Sequence, residues 1–217
     1  INGKLEEINL EYEDGNRFKI LKETKVENVN FHDNALINLN NAFTINNYRI
    51  YIDKNYNVKK PLVVYHTTNT EINSTNINIQ LNYSLGENSS LKIIDIFNDA
   101  SEKNFINIYY NFDLKKDAVL KNFKIDNVNN NNIKYSFNNI NQDTNSVSET
   151  FILSNGSKFI KNEINCNLNG KYSSAFVNGI FSLNANKHHE IKTNINHLTE
   201  NTKSYQLIKS VLDNNSK

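Results

Sequence analysis

From Val26 onward the chain repeats a short alternation of apolar and polar residues, clearest in "NINIQLNYS" (Asn76 to Ser84), "FINIYYNF" (Phe105 to Phe112) and "IKYSF" (Ile133 to Phe137). Period-two patterning of this kind predicts half-buried β-strands. The predicted strands centre on Ile79, Ile93, Ile108, Phe123, Tyr135, Phe151, Cys166, Val177 and Ile191, about 11 to 16 residues apart and separated by Asn, Asp, Ser and Gly clusters. No helical period interrupts them, although "LKETKVENV" (Leu21 to Val29) is ambiguous.

Evenly spaced short strands fit a sandwich, a barrel or a solenoid. Two features favour the solenoid. Tight hairpin signals are scarce, Asp14-Gly15 and Asn155-Gly156 being the best candidates. Asparagine, about a fifth of all residues, is abundant at the predicted corners. There its short amide tolerates left-handed backbone and can stack in hydrogen-bonded ladders from coil to coil. The expected fold is therefore all-β, a parallel β-helix built as a solenoid of single strands. Within "DNVNNNNIKYSFNNINQDTN" (Asp126 to Asn145), Ile133, Tyr135 and Phe137 argue for a strand with Asn-rich corners and against a disordered insertion. The more charged front, residues 1–25, is expected to form a lead-in or cap, and residues 26–217 the β-helix core.

Composition narrows the function classes. A net charge of +1 with interspersed acids and bases carries no footprint for nucleic acid or an anionic membrane. Apolar runs such as "PLVVY" and "AFVNGIF" fall far short of the ~20 residues of a membrane span. The single cysteine, Cys166, excludes an internal disulfide and suits a reducing cytoplasm. The chain opens on Ile1 and holds no methionine, so an upstream segment is expected.

Three histidines near the end, His188, His189 and His197, raise the question of a metal site. On one strand His188 and His189 point apart, and His189 and His197 are separated by eight residues, roughly 26 Å at about 3.3 Å per residue. Two ligands of one metal cannot stand so far apart, and no Cys or carboxylate completes a set at ligand spacing. The histidines are expected to be hydrogen-bonded or solvated. Cys166, in step with Ile164 and Leu168, should face the core as a small apolar residue. No G-x-S-x-G elbow occurs, and "NCNLNGKYS" lacks the leading glycine of a P-loop, so ATP hydrolysis is not expected. Acidic pairs Glu6-Glu7 and Glu11-Glu13 belong to the polar front and read as solvated surface. The expected inventory is thus no catalytic, cofactor-binding or metal residue, and no enzyme.

The tail carries a resemblance. His189, Thr193, Ile195 and His197, then Thr202, Ser204, Gln206 and Lys209, then "VLD" (Val211 to Asp213) and Ser216 form a pattern similar to the end of the β-helix in the SufB/SufD family. Gln206 and the Val-Leu-Asp step look more like the SufD branch than the SufB branch. "LNNAF" (Leu39 to Phe43) and "LNG" (Leu168 to Gly170) add weaker support. The resemblance implies a right-handed parallel β-helix, truncated here. It also implies a scaffold role in the SUF iron–sulfur cluster assembly complex, pairing with SufB and working with the SufC ATPase while the complex handles the nascent cluster. The family's interface histidine, in a Cys-Ser-His-Gly-like motif, and its SufC-binding helices have no counterpart here. A β-helix ending at Lys217 is expected to self-associate through an uncovered last coil. The alternatives are a SufB-like subunit, a carbohydrate-binding or carbohydrate-processing β-helix protein, and an Asn-rich structural repeat without a site.

Overall fold

A computed structural model describes residues 1–23, 33–69, 71–128 and 130–217. In chain order its elements are β1 (Phe18–Glu23), α1 (Ala35–Phe43), β2 (Asn47–Ile52), β3 (Leu62–Thr68), β4 (Asn76–Leu85), β5 (Ser90–Asp99) and β6 (Phe105–Leu114). There follow β7 (Val119–Asp126), β8 (Ile133–Gln142), β9 (Val147–Ser154), β10 (Phe159–Leu168), β11 (Ser174–Leu183), β12 (His188–His197) and β13 (Lys203–Leu212). Every predicted strand centre falls inside one of these strands.

The strands alternate between two sheets. The even sheet has the order β1-β2-β4-β6-β8-β10-β12, and the odd sheet runs β13-β11-β9-β7-β5-β3. All pairings are parallel except β1 with β2, which is antiparallel. Successive even strands begin at Asn76, Phe105, Ile133, Phe159 and His188, so one coil takes 26 to 29 residues and the sequence interval was half a coil. The fold is a parallel β-solenoid. Asn155-Gly156 is one of its corners, joining β9 to β10 in the other sheet, and Asp14-Gly15 precedes β1; neither makes a tight hairpin. Of the ambiguous stretch, Leu21 to Glu23 belong to β1, and the remainder lies outside the described residues.

Asparagine acts at two places. At the corners Asn55, Asn88, Asn145 and Asn201 hold positive φ, where a short polar side chain limits the steric penalty. There Asn88 donates to Asn55 (3.0 Å) and Asn145 to Asp117 (2.5 Å). A second ladder climbs the outer face of the even sheet: Asn139 donates to Asn111 (3.0 Å), Asn165 to Asn139 (3.0 Å) and Asn194 to Asn165 (2.9 Å). In-register pairing stacks these amides one strand apart, as the geometry of such ladders requires.

Helix α1 was not foreseen. Asn34 caps it by accepting from Leu36 N–H (2.9 Å). Its Ile37 packs on Tyr135 and Phe137, outward residues of β8, with Leu36, Phe105 and Tyr109 at the margin. Asn40, fully buried, donates to the carbonyls of Ile79 (3.2 Å) and Asn107 (2.8 Å). At the start of the chain, Asn2 N–H donates to Thr67 O (2.8 Å), Leu5 N–H to the Tyr48 hydroxyl (2.8 Å) and Asp14 N–H to the Tyr56 hydroxyl (2.9 Å).

The interior changes character along the axis. In β4 and β6 the inward side chains are apolar: Ile77, Ile79, Leu81, Tyr83 and Leu85, then Ile106, Ile108, Tyr110, Phe112 and Leu114. On the facing sheet β5 turns Asp95 and Asp99 inward and β7, one coil on, turns in Asn122, Lys124 and Asp126, while β8, one coil after β6, turns in Lys134, Ser136, Asn138 and Gln142. The strands expected around Phe123, Tyr135 and Phe151 are present, but those aromatic side chains point outward.

Candidate functional site

The strongest electrostatic feature of the interior is a set of buried ionisable side chains drawn from four strands. Lys134 occupies a ladder position between two isoleucines, Ile106 on β6 and Ile160 on β10. Its ammonium reaches across to the odd sheet, contacting Asp126 (2.7 Å) on β7 and Asp99 on β5. Beside it Lys124 sits 3.2 Å above the Tyr110 ring and 3.8 Å from Asp95, too far for a hydrogen bond to the carboxylate. Asp95 is held from the other side by His66 Nε2 at 2.8 Å, and the His66 ring stacks on Phe97 at 4.6 Å. The Tyr110 hydroxyl lies 3.3 Å from the same nitrogen.

Burial dominates the chemistry here. It pulls the Lys124 ammonium down to about 8, with Asp95 opposing the shift, and pushes the Tyr83 and Tyr110 hydroxyls well above their ordinary range. A cavity of about 20 Å³ adjoins the cluster and is lined by Lys124, Asp126, Lys134, Ser136, Ser154 and Asn162 among others. That space suits a water molecule and nothing the size of a metabolite. The cluster can hold charge and order water inside the solenoid; it offers no room for a substrate.

The low value for Lys124 makes stability depend on pH. In the unfolded chain this amine stays protonated to about 10.5, so between pH 8 and 10.5 the unfolded state binds the extra proton and stability rises with pH. Cys166 has the opposite effect above pH 9, its folded thiol being pushed up to about 12 by burial, and the buried tyrosines add to the fall above pH 10. Urea unfolding is expected to show a gain of roughly 1 kcal/mol between pH 7 and 9, followed by a decline. Lys124→Met should abolish the gain; an unchanged profile in that variant would assign it elsewhere.

The histidines follow their strand. β12 spans His188–His197, so His189 and His197 share a face at opposite ends, and the structure does not bring them together. His189 is buried; its Nε2–H donates to Ser157 O (2.8 Å), which leaves Nδ1 to accept from the Ser154 hydroxyl (2.9 Å). Burial lowers its pKa. His197, exposed, meets Thr202 (2.6 Å) and Ser204 (3.0 Å), and His188 points the other way to Glu190 (3.1 Å). Thr193 donates to Gln206 (2.7 Å). The tail residues thus hydrogen-bond across the corner between β12 and β13, which is why hydroxyl, amide and imidazole recur there. Among the described residues no group of three or more His, Cys, Asp or Glu could hold a metal ion.

Cys166 is fully buried on β10, in register with Ile140 and Ile195. A thiol raised to about 12 is almost wholly protonated at neutral pH and a poor nucleophile. A thiol-reactive dye is expected to leave the folded chain unlabelled for hours and to label it at once in denaturant. Rapid stoichiometric labelling without denaturant would contradict this burial.

The six ionisable residues of the interior cluster, His66, Asp95, Asp99, Lys124, Asp126 and Lys134, were not singled out from sequence. The pattern worked against them: in "VLKNFKID" Val119, Phe123 and Ile125 occupy the outward phase and Leu120 alone marks the inward one, which carries Asn122, Lys124 and Asp126.

A family model described as "SUF system FeS cluster assembly, SufBD core domain" matches residues 73–217, about two thirds of the chain. The chain belongs to the SufBD core family. The matched span begins just before β4 and takes in every strand from there to β13. Membership supports a role for this SufBD core protein in SUF-system iron–sulfur cluster assembly. No curated protein matches the chain. Among its described residues no helix is long and apolar enough to cross a membrane.

Proposed function

We propose that this SufBD core chain is the scaffold portion of a SufD-like subunit, pairing with SufB and working with the SufC ATPase in the cytoplasm. On this reading residues 26–217 form the core and residues 1–25 a lead-in. The nascent cluster is cargo of the assembled complex, and nucleotide chemistry is left to SufC. The observation that carries the reading is the family match over residues 73–217. Two further facts agree with it: the tail pattern forms the hydrogen bonds between β12 and β13, and no P-loop occurs in the sequence.

The test is co-expression of the full reading frame with tagged SufB and SufC. Stoichiometric recovery of all three supports a SufD-like subunit. In a parallel co-expression that supplies tagged SufD in place of SufB, recovery with SufD and SufC, together with no recovery on SufB, would make the chain SufB-like. Failure to recover either partner, or specific binding to a polysaccharide, would overturn the scaffold reading.

A further inference from the structure

The two sheets treat their outward apolar residues differently. On the even sheet the aromatic side chains of β6 and β8 lie under α1. On the odd sheet two adjacent outward columns are apolar over successive coils. One runs Val63, Ile94, Phe123 and Phe151; the other runs Tyr65, Ile96, Ile125, Leu153 and Ile180. No polar residue interrupts them from β3 through β9. They remain open: Tyr65 is 65% exposed, Ile180 44%, Val63 40% and Phe123 38%. Contiguous apolar surface of this kind is uncommon on a soluble chain and marks an interaction site.

We propose that this strip is a docking surface for one amphipathic α-helix of a partner protein, with acidic residues flanking the helix's apolar stripe. Shape is the first argument. Five strands about 4.8 Å apart span roughly 19 Å, and two outward columns about 7 Å apart make a strip about 10 Å wide once side chains are counted. A helix of about 13 residues is roughly 19 Å long and about 10 Å across. A second globular copy would need on the order of 800 Å² per partner for a stable interface, several times this footprint. The molecule also shows the same packing in α1 on its opposite sheet. Charge is the second argument. The outward positions bordering the strip include Lys92 and Lys121 along one side and Lys209 at the end of the second column, against one carboxylate, Glu149, which pairs with Lys121 at 2.9 Å. A basic border favours acidic flanks on the incoming helix.

The test uses the 217-residue chain and a fluorescein-labelled 16-residue helical peptide with leucines at i, i+3, i+4 and i+7, flanked by glutamates. Anisotropy should report saturable binding. Phe123→Ser with Leu153→Ser should weaken it by about tenfold or more, whereas Lys192→Ser on the opposite sheet should not change it. A lysine-flanked peptide of equal apolar content should bind more weakly than the glutamate-flanked one. Thermal melts confirm that the serine variant is folded; if it is not, Tyr65→Ser with Ile180→Ser replaces it. Absence of binding, equal binding by the serine variants, or preference for the lysine-flanked peptide overturns the proposal. So does a dimer abolished by the same substitutions, because that would assign the face to a second copy.

Discussion

Replacing Lys134 with methionine is expected to destabilise the solenoid by about 3–5 kcal/mol at pH 7, as removal of one partner from a buried ion group does. The Lys134 ammonium is the direct contact of two buried carboxylates, Asp99 and Asp126. Methionine fills much of the same volume between Ile106 and Ile160, so the loss is electrostatic and no large cavity opens. One control separates this from a packing defect. The triple variant Lys134→Met, Asp99→Asn, Asp126→Asn should recover much of the loss by removing the stranded charges. A Lys134→Met chain within 1 kcal/mol of wild type at pH 7 would mean that the three groups do not meet in a dry interior.

The cluster also explains what the sequence disclosed and what it concealed. Strand positions were readable because alternation has period two whichever face is apolar; "NFKID" and "IKYSF" alternate as well as "NINIQLNYS" does. Which face turns inward was not readable from those segments. Phe123 and Phe137 are apolar for reasons outside the core, one on the open strip of the odd sheet and the other beneath α1. Reading apolar as inward therefore fails in the coil where the charges lie. Helix α1 escaped notice because its buried face includes Asn40, an amide satisfied by two strand carbonyls, so no continuous apolar stripe marks it. The histidines were readable, since an eight-residue separation on a strand forbids a shared metal without any knowledge of partners. Asparagine was half readable. Its corner role follows from its tolerance of positive φ, whereas the ladder on the outer face depends on a register that appears only when coils stack.

Stacking also sets the other large effect, at Gly170. This glycine lies in the corner between β10 and β11, directly over the preceding corner. An added Cβ would stand 1.8 Å from Thr144 N and 2.2 Å from the carbonyl carbon of Asp143, both backbone atoms that no rotamer change can move aside. Relief requires the corners to part, which strains the bonds from Asn169 N–H (2.9 Å) and Gly170 N–H (3.0 Å) to Gln142 O. Gly170→Ala is therefore expected to cost about 3 kcal/mol, the upper end of ordinary overpacking. Gly15→Ala, where nothing lies within 4 Å of the new carbon, is the matched control and should change stability little. Because each coil contacts only its neighbours, the damage should be local. Hydrogen exchange should accelerate from β10 onward while β4 and β6 stay protected, and urea unfolding should broaden or split into two steps. Cooperative unfolding of Gly170→Ala at the wild-type midpoint would show that the corners do not approach this closely.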